Sequence, residues 1–66
     1  MTVTVNGEPH EVPSGTTVAQ AVAMLTSQPS GIAAAVNGEV VPRGGWTGRA
    51  LRDRDQVEVV TAVQGG

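Results

Sequence analysis

Apolar positions along this chain alternate at a period of two, then of about 3.6, then of two again, and the switches mark its elements. Thr2-Val3-Thr4-Val5 is β-branched throughout and predicts a strand. Asn6-Gly7 follows, a pair suited to a two-residue type I′ turn because both of its positions need φ > 0. Glu8 to Val12 then returns antiparallel. That register sets Val3 opposite His10 and Met1 opposite Val12 on one face, with Pro9 on the other, toward solvent or on an edge. After the turn Pro13-Ser14-Gly15-Thr16, the run Thr17-Val18-Ala19-Gln20 matches a capping box, Thr17 accepting from the Gln20 amide and Gln20 reaching back. Val18, Ala21, Val22 and Leu25 form one helical stripe, and Gln28-Pro29-Ser30-Gly31 ends the helix.

Ile32 to Val36 predicts a further strand, Asn37-Gly38 a second hairpin turn, and Glu39-Val40-Val41 its return. The small Ala33, Ala34 and Ala35 would let the helix approach closely. Pro42 to Arg54 is rich in Gly and Arg, with Trp46 and Leu51 as anchors, and Asp53-Arg54-Asp55 is a tight turn. The last strand, Gln56 to Val63, is apolar on both faces: Val57, Val59 and Val63 on one, Val60 and Ala62 on the other. That suits a central position, beside the first strand in parallel, with the helix in the right-handed crossover. The expected architecture is α+β, a β-grasp: one mixed sheet of four to five strands with one main helix on one face. Residues 1–66 are expected to form a single domain with a flexible tail from about 63 to 66.

Composition narrows the function classes. Sixty-six residues without cysteine allow one small domain with no disulfide or cysteine-held metal, and exclude the large enzyme folds. With 39% hydrophobic and only 15% charged residues, the chain belongs among folded proteins. A net charge of −2, no lysine and a single aromatic argue against nucleic acid. The apolar runs are too short to span a bilayer, and Met1-Thr2-Val3-Thr4-Val5 lacks the basic start of a secretory signal. A cytoplasmic protein, monomeric on its own, is expected.

Few residues can carry chemistry. There is no Cys, Lys or Tyr, and the one histidine, His10, sits in a predicted strand, where a partly buried, hydrogen-bonded ring is expected rather than a general base. Ser14, Ser27 and Ser30 fall at turns or helix ends. Asp53 and Asp55 are too few for a hard cation and read as a turn. Gly44-Gly45 and Gly48 lack the Gly-Lys-Ser/Thr of a phosphate loop. All four arginines lie between Arg43 and Arg54, around Trp46. Trp46 is expected to fold under this segment as a small satellite core, while Arg43 and Trp46 are also candidates for partner docking.

The remaining candidate is the ending Gln64-Gly65-Gly66. An α-carboxylate is ionised at neutral pH and a poor electrophile, so it needs activation, for example as an acyl-adenylate. Residues without a Cβ can thread a narrow active site. Four extended residues from Val63 reach roughly 13 Å.

With the β-grasp order, this ending resembles the ubiquitin-like sulfur carriers, most closely those of thiamine biosynthesis. The resemblance covers the whole chain. It rests on the early strand-Asn-Gly hairpin, Gly15-Thr16-Thr17-Val18 at the helix start, Val36-Asn37, Val41-Pro42-Arg43 with Trp46 three residues on, Asp53-Arg54-Asp55, and Gly65-Gly66. The resemblance implies a protein co-substrate, not an enzyme, that binds no cofactor of its own. Gly66 would be adenylated by an adenylyltransferase of the ubiquitin-activating type using ATP and Mg²⁺, with Gly65 and Gln64 entering that partner's active site. Sulfur from a donor such as a cysteine desulfurase would make a terminal thiocarboxylate for a thiazole synthase. Two positions depart from the family: Arg54 stands where glycine is frequent, and Gln64 where a small or apolar residue is expected. Other readings are a carrier like the small subunit of molybdopterin synthase, a ubiquitin-like protein modifier, or a plain binding module. Molybdopterin carriers are usually longer, with an aromatic and a proline before the glycine pair, and Ala62-Val63-Gln64 has neither.

Overall fold

A computed structural model describes residues 1–25 and 31–61, Thr61 through its backbone. In chain order it contains β1 (Thr2–Val5), β2 (Glu8–Glu11), α1 (Val18–Leu25), β3 (Ile32–Val36), β4 (Glu39–Val41), a 3-10 turn at Arg43–Gly45, and β5 (Gln56–Thr61). The five strands form one sheet in the order β2-β1-β5-β3-β4. β1 and β5 run parallel, and the other pairs are antiparallel. This is the mixed sheet with one helix that the sequence predicts, with the last strand at its centre.

The hairpin turns form for the backbone reason anticipated. Asn6 and Gly7 have φ of 51° and 83°, and Asn37 and Gly38 have 52° and 84°. Val3 faces His10, and Met1 and Val12 exchange backbone bonds of 2.8 and 2.9 Å. At the helix start, Gln20 N–H donates to Thr17 Oγ1 at 3.3 Å and Thr17 N–H to Gln20 Oε1 at 2.9 Å, which closes the capping box. The outer strand β2 carries Glu8, Pro9 and Glu11 exposed, a composition that discourages edge pairing.

One core lies between α1 and the sheet. Val3, Val5, Ala34, Val36, Val57 and Val59 supply its floor, and Val18, Ala21 and Val22 its roof. Several packing expectations change here. Leu25 is 44% exposed, so the buried helical stripe ends at Val22. Only Ala34 of the three alanines is buried, because alternate strand residues face opposite sides. For the same reason Val60 is 58% exposed: β5 is central in the sheet, but the helix covers only one face of it. Trp46 and Leu51 belong to the main core and not to a satellite of it. The expected helix stop at Gln28-Pro29-Ser30, and the extension of the last strand through Ala62 and Val63, lie outside the described residues.

The acidic turn is a junction. Thr2 N–H donates to Asp53 Oδ1 at 2.8 Å, Arg52 N–H to Asp55 Oδ2 at 2.8 Å, and Asn37 Nδ2 to Asp55 Oδ1 at 3.0 Å. The two aspartates thus tie the segment before β5 to β1 and to the β3–β4 turn. Between them Arg54 adopts φ 73°, so the left-handed conformation is required at this position. An L-residue with a Cβ loses roughly 1–2 kcal/mol there, and glycine avoids that at an entropic cost of about 0.5–1 kcal/mol. Arg54→Gly is therefore expected to raise stability by about 0.5 kcal/mol, and Arg54→Val to lower it. The urea midpoint measures both; a lower midpoint for the glycine variant would contradict the strain.

Candidate functional site

The strand that leads toward Gly66 is held at its start and again at Val59 by asparagine side chains. At its start, Asn37 Oδ1 accepts from Gln56 N–H at 2.9 Å, and Asn37 N–H donates to Gln56 O at 2.8 Å. Further along, Asn6 N–H donates to Val57 O at 2.9 Å. The Asn6 side chain then takes both backbone groups of the next odd-numbered residue: Nδ2 donates to Val59 O at 3.1 Å and Oδ1 accepts from Val59 N–H at 2.8 Å. On the opposite edge β3 begins at Ile32, which faces Thr61. Among the described residues the ladder of β5 with β1 ends at Val57 and is prolonged to Val59 by the Asn6 side chain, while the ladder with β3 runs to Thr61. Gln64, Gly65 and Gly66, the tail residues singled out in the sequence, lie outside the described residues.

The two docking candidates have different surroundings. Trp46 is 4% exposed, and its Nε1–H donates to Val41 O at 2.9 Å. Its N–H and C=O are also bonded, to Arg43 O at 3.3 Å and Ala19 N–H at 3.2 Å. An indole sealed in this way is a core residue, and a partner-facing role for Trp46 is corrected accordingly. Arg43 is exposed, with its guanidinium 5.1 Å above the Trp46 ring. That geometry is a cation–π contact.

Other candidates resolve into structure. His10 is half-buried as expected, but its Nε2 is buried without a hydrogen-bond partner, which corrects the expected satisfied ring. Asp53 and Asp55 accept backbone and side-chain N–H groups, and no cluster of three or more His, Cys, Asp or Glu exists among the described residues. No helix among the described residues is long and apolar enough to cross a membrane.

The sheet face away from the helix was missed in the sequence. Val40 and Val60 are 70% and 58% exposed there. With Ala33, Ala35 and Glu58 they line a shallow, mostly apolar depression. The signal was present in the valine run of β5, but an apolar second face reads as burial unless the coverage of each face is known.

Comparison with known proteins agrees with this geometry. The ThiS family model matches residues 3–66. The chain is 29% identical to the sulfur carrier protein ThiS of Escherichia coli over 66 residues, all of both chains. It is 38% identical over 66 residues to a thiazole synthase of Magnetococcus marinus, but spans only 20% of that protein. In the crystal structure of the thiamine biosynthesis protein ThiS of Geobacter metallireducens, a 30% identical chain superposes at a TM-score of 0.84, with 100% of both chains covered. A match over nearly the whole chain, on the same fold, means that this protein belongs to the ThiS family.

Proposed function

We propose that the working group of this sulfur carrier of thiamine biosynthesis is the carboxylate of Gly66. The carboxylate attacks the α-phosphorus of ATP in an activating enzyme, pyrophosphate leaves, and the terminal carbonyl becomes an acyl-adenylate. The terminal sulfur of a persulfide, supplied by a donor such as a cysteine desulfurase, then attacks the acyl carbon and AMP leaves; a second thiol cleaves the resulting acyl disulfide and is left in a disulfide with the donor thiol. The product is a thiocarboxylate, whose sulfur goes to a thiazole synthase. Mg²⁺ serves the nucleotide in the activating enzyme. The observation that carries this reading is the family match that runs through the glycine pair to residue 66. The likeness of the whole chain to one fifth of a thiazole synthase supports that class of acceptor.

The ladder geometry fits the proposal. Five residues follow Thr61 up to and including Gly66, enough to reach roughly 17 Å when extended. The body can thus rest on the outside of an enzyme while Gln64 and Gly65 line the entry and Gly66 meets the nucleotide.

Intact mass is the test. Incubation with ATP, Mg²⁺, the activating enzyme and a sulfur donor should exchange one terminal oxygen for sulfur. An unchanged mass with a competent activating enzyme would refute the reading, and isopeptide adducts would indicate a protein modifier.

In this reading the exposed face around Val40 and Val60, with Arg43 nearby in sequence, takes the place of Trp46 as the docking surface. Val60 immediately precedes Thr61, so an enzyme holding the tail lies beside it. Val60→Asp is expected to raise the KM for the carrier in sulfur loading while shifting stability by no more than about 0.5 kcal/mol. Unchanged KM would remove this face from the docking surface.

A further inference from the structure

Asn6 performs two separable tasks. Its backbone, at φ 51°, forms the first half of the hairpin turn. Its side chain bonds both backbone groups of Val59, at 3.1 and 2.8 Å. A carboxamide carries the same donor and acceptor as a peptide unit, so Asn6 stands where the next β1 residue would pair had the chain not turned away. Asn, Asp and Gly all suit this turn. Among them only asparagine can also satisfy the Val59 N–H and C=O together. Val59 lies two residues before Thr61, and Asn6 provides the last bonds to β5 from the β1 side among the described residues.

We propose that Asn6 is a positioning residue for the sulfur-bearing tail, fixing the direction in which β5 leaves the sheet. The inference rests on the carrier reading above. With the carboxamide in place, β5 is held from both edges as far as Val59, two residues before Thr61. Without it, β5 beyond Val57 is held from the β3 side alone. The enzyme must then select the productive direction from several, and apparent affinity falls by the fraction of chains that point correctly. The loss therefore appears in KM, while the rate of the correctly bound chain is kept.

Asn6→Gly tests this, since glycine keeps the turn and removes only the carboxamide. Asn37→Gly is its control. It is the same substitution in the same kind of turn and removes the carboxamide bonds to Gln56 N–H and Asp55 Oδ1 at the start of β5. Asn6→Gly should raise the KM for sulfur loading about tenfold with kcat kept, while Asn37→Gly should destabilise comparably and leave KM unchanged. Amide hydrogen exchange gives a reading independent of sulfur chemistry: the Val59 amide should exchange about tenfold faster in Asn6→Gly than in the parent chain. An unchanged KM, an equal rise in both variants, or unchanged Val59 exchange overturns the proposal. If the parent chain gains no sulfur at all, the carrier chemistry fails instead, and Val59 exchange alone decides the grip. Should Asn6→Gly not fold, Asn6→Asp replaces it: the carboxylate accepts from Val59 N–H but cannot donate to its C=O, and a parent-like KM and exchange rate would overturn the proposal equally.

Discussion

Replacing Trp46 with alanine is expected to leave much of the protein unfolded at 25 °C. A buried Trp→Ala change costs about 3–5 kcal/mol, and a domain of this size holds only about 3–5 kcal/mol in total. Trp46 is the largest side chain in a core otherwise built mainly of valines. Its neighbours are too small to close over the space it leaves. The same change strands Val41 O, which now accepts the indole N–H at 2.9 Å. Trp46→Phe separates the two effects, since it keeps most of the volume and loses the donor, and should cost about 1–3 kcal/mol. Thermal melts followed by far-UV circular dichroism measure both. A Trp46→Ala protein melting within a few degrees of its parent would mean that the ring does not hold the core.

Deletion of Gly66 should have the opposite profile, with sulfur loading reduced to background and melting unchanged. The reacting carbonyl moves back by one residue, about 3.3–3.6 Å, and acyl transfer does not tolerate a displacement of that size. Stability should be insensitive because the buried residues identified in the core all lie between Val3 and Val59. A chain amidated at Gly66 keeps the length but lacks the ionised oxygen, and should also fail to gain sulfur. Unfolding on deletion of Gly66 would refute the separation of body and tail. Loading of the amidated chain would refute the role of the carboxylate.

Much of the fold was legible because local chemistry and long-range packing agree. Asn-Gly twice, the Thr17–Gln20 capping box and the β-branched runs each specify their element without reference to the rest. The parallel pairing of β1 with β5 was legible in the apolar last strand, which suits a central position, with the helix in a right-handed crossover. Misreadings arose where a side chain's fate depends on what covers it. Leu25 fits the helical stripe by spacing yet lies past the end of the buried part. Val60 is as apolar as Val59, but its face of the sheet is uncovered. Trp46, set among glycines and arginines, reads as a small satellite core and a docking candidate until its place in the main core and its bond to Val41 are seen. The grip of Asn6 on Val59 spans 53 positions, and no local pattern announces it.

The placement of β5 has a consequence for how such a chain is made. Among the described residues the β1–β2 and β3–β4 hairpins share no ladder with each other, and each is joined to the sheet only through β5. A nascent chain on the ribosome can form both hairpins, yet it has no continuous sheet until Gln56–Thr61 has emerged. Assembly of the sheet therefore waits until β5 has been translated, and non-local closure of this kind is intrinsically slow. A prematurely terminated product would expose the valines of β1 and β3 and invite proteolysis, so quality control can distinguish it from the finished protein.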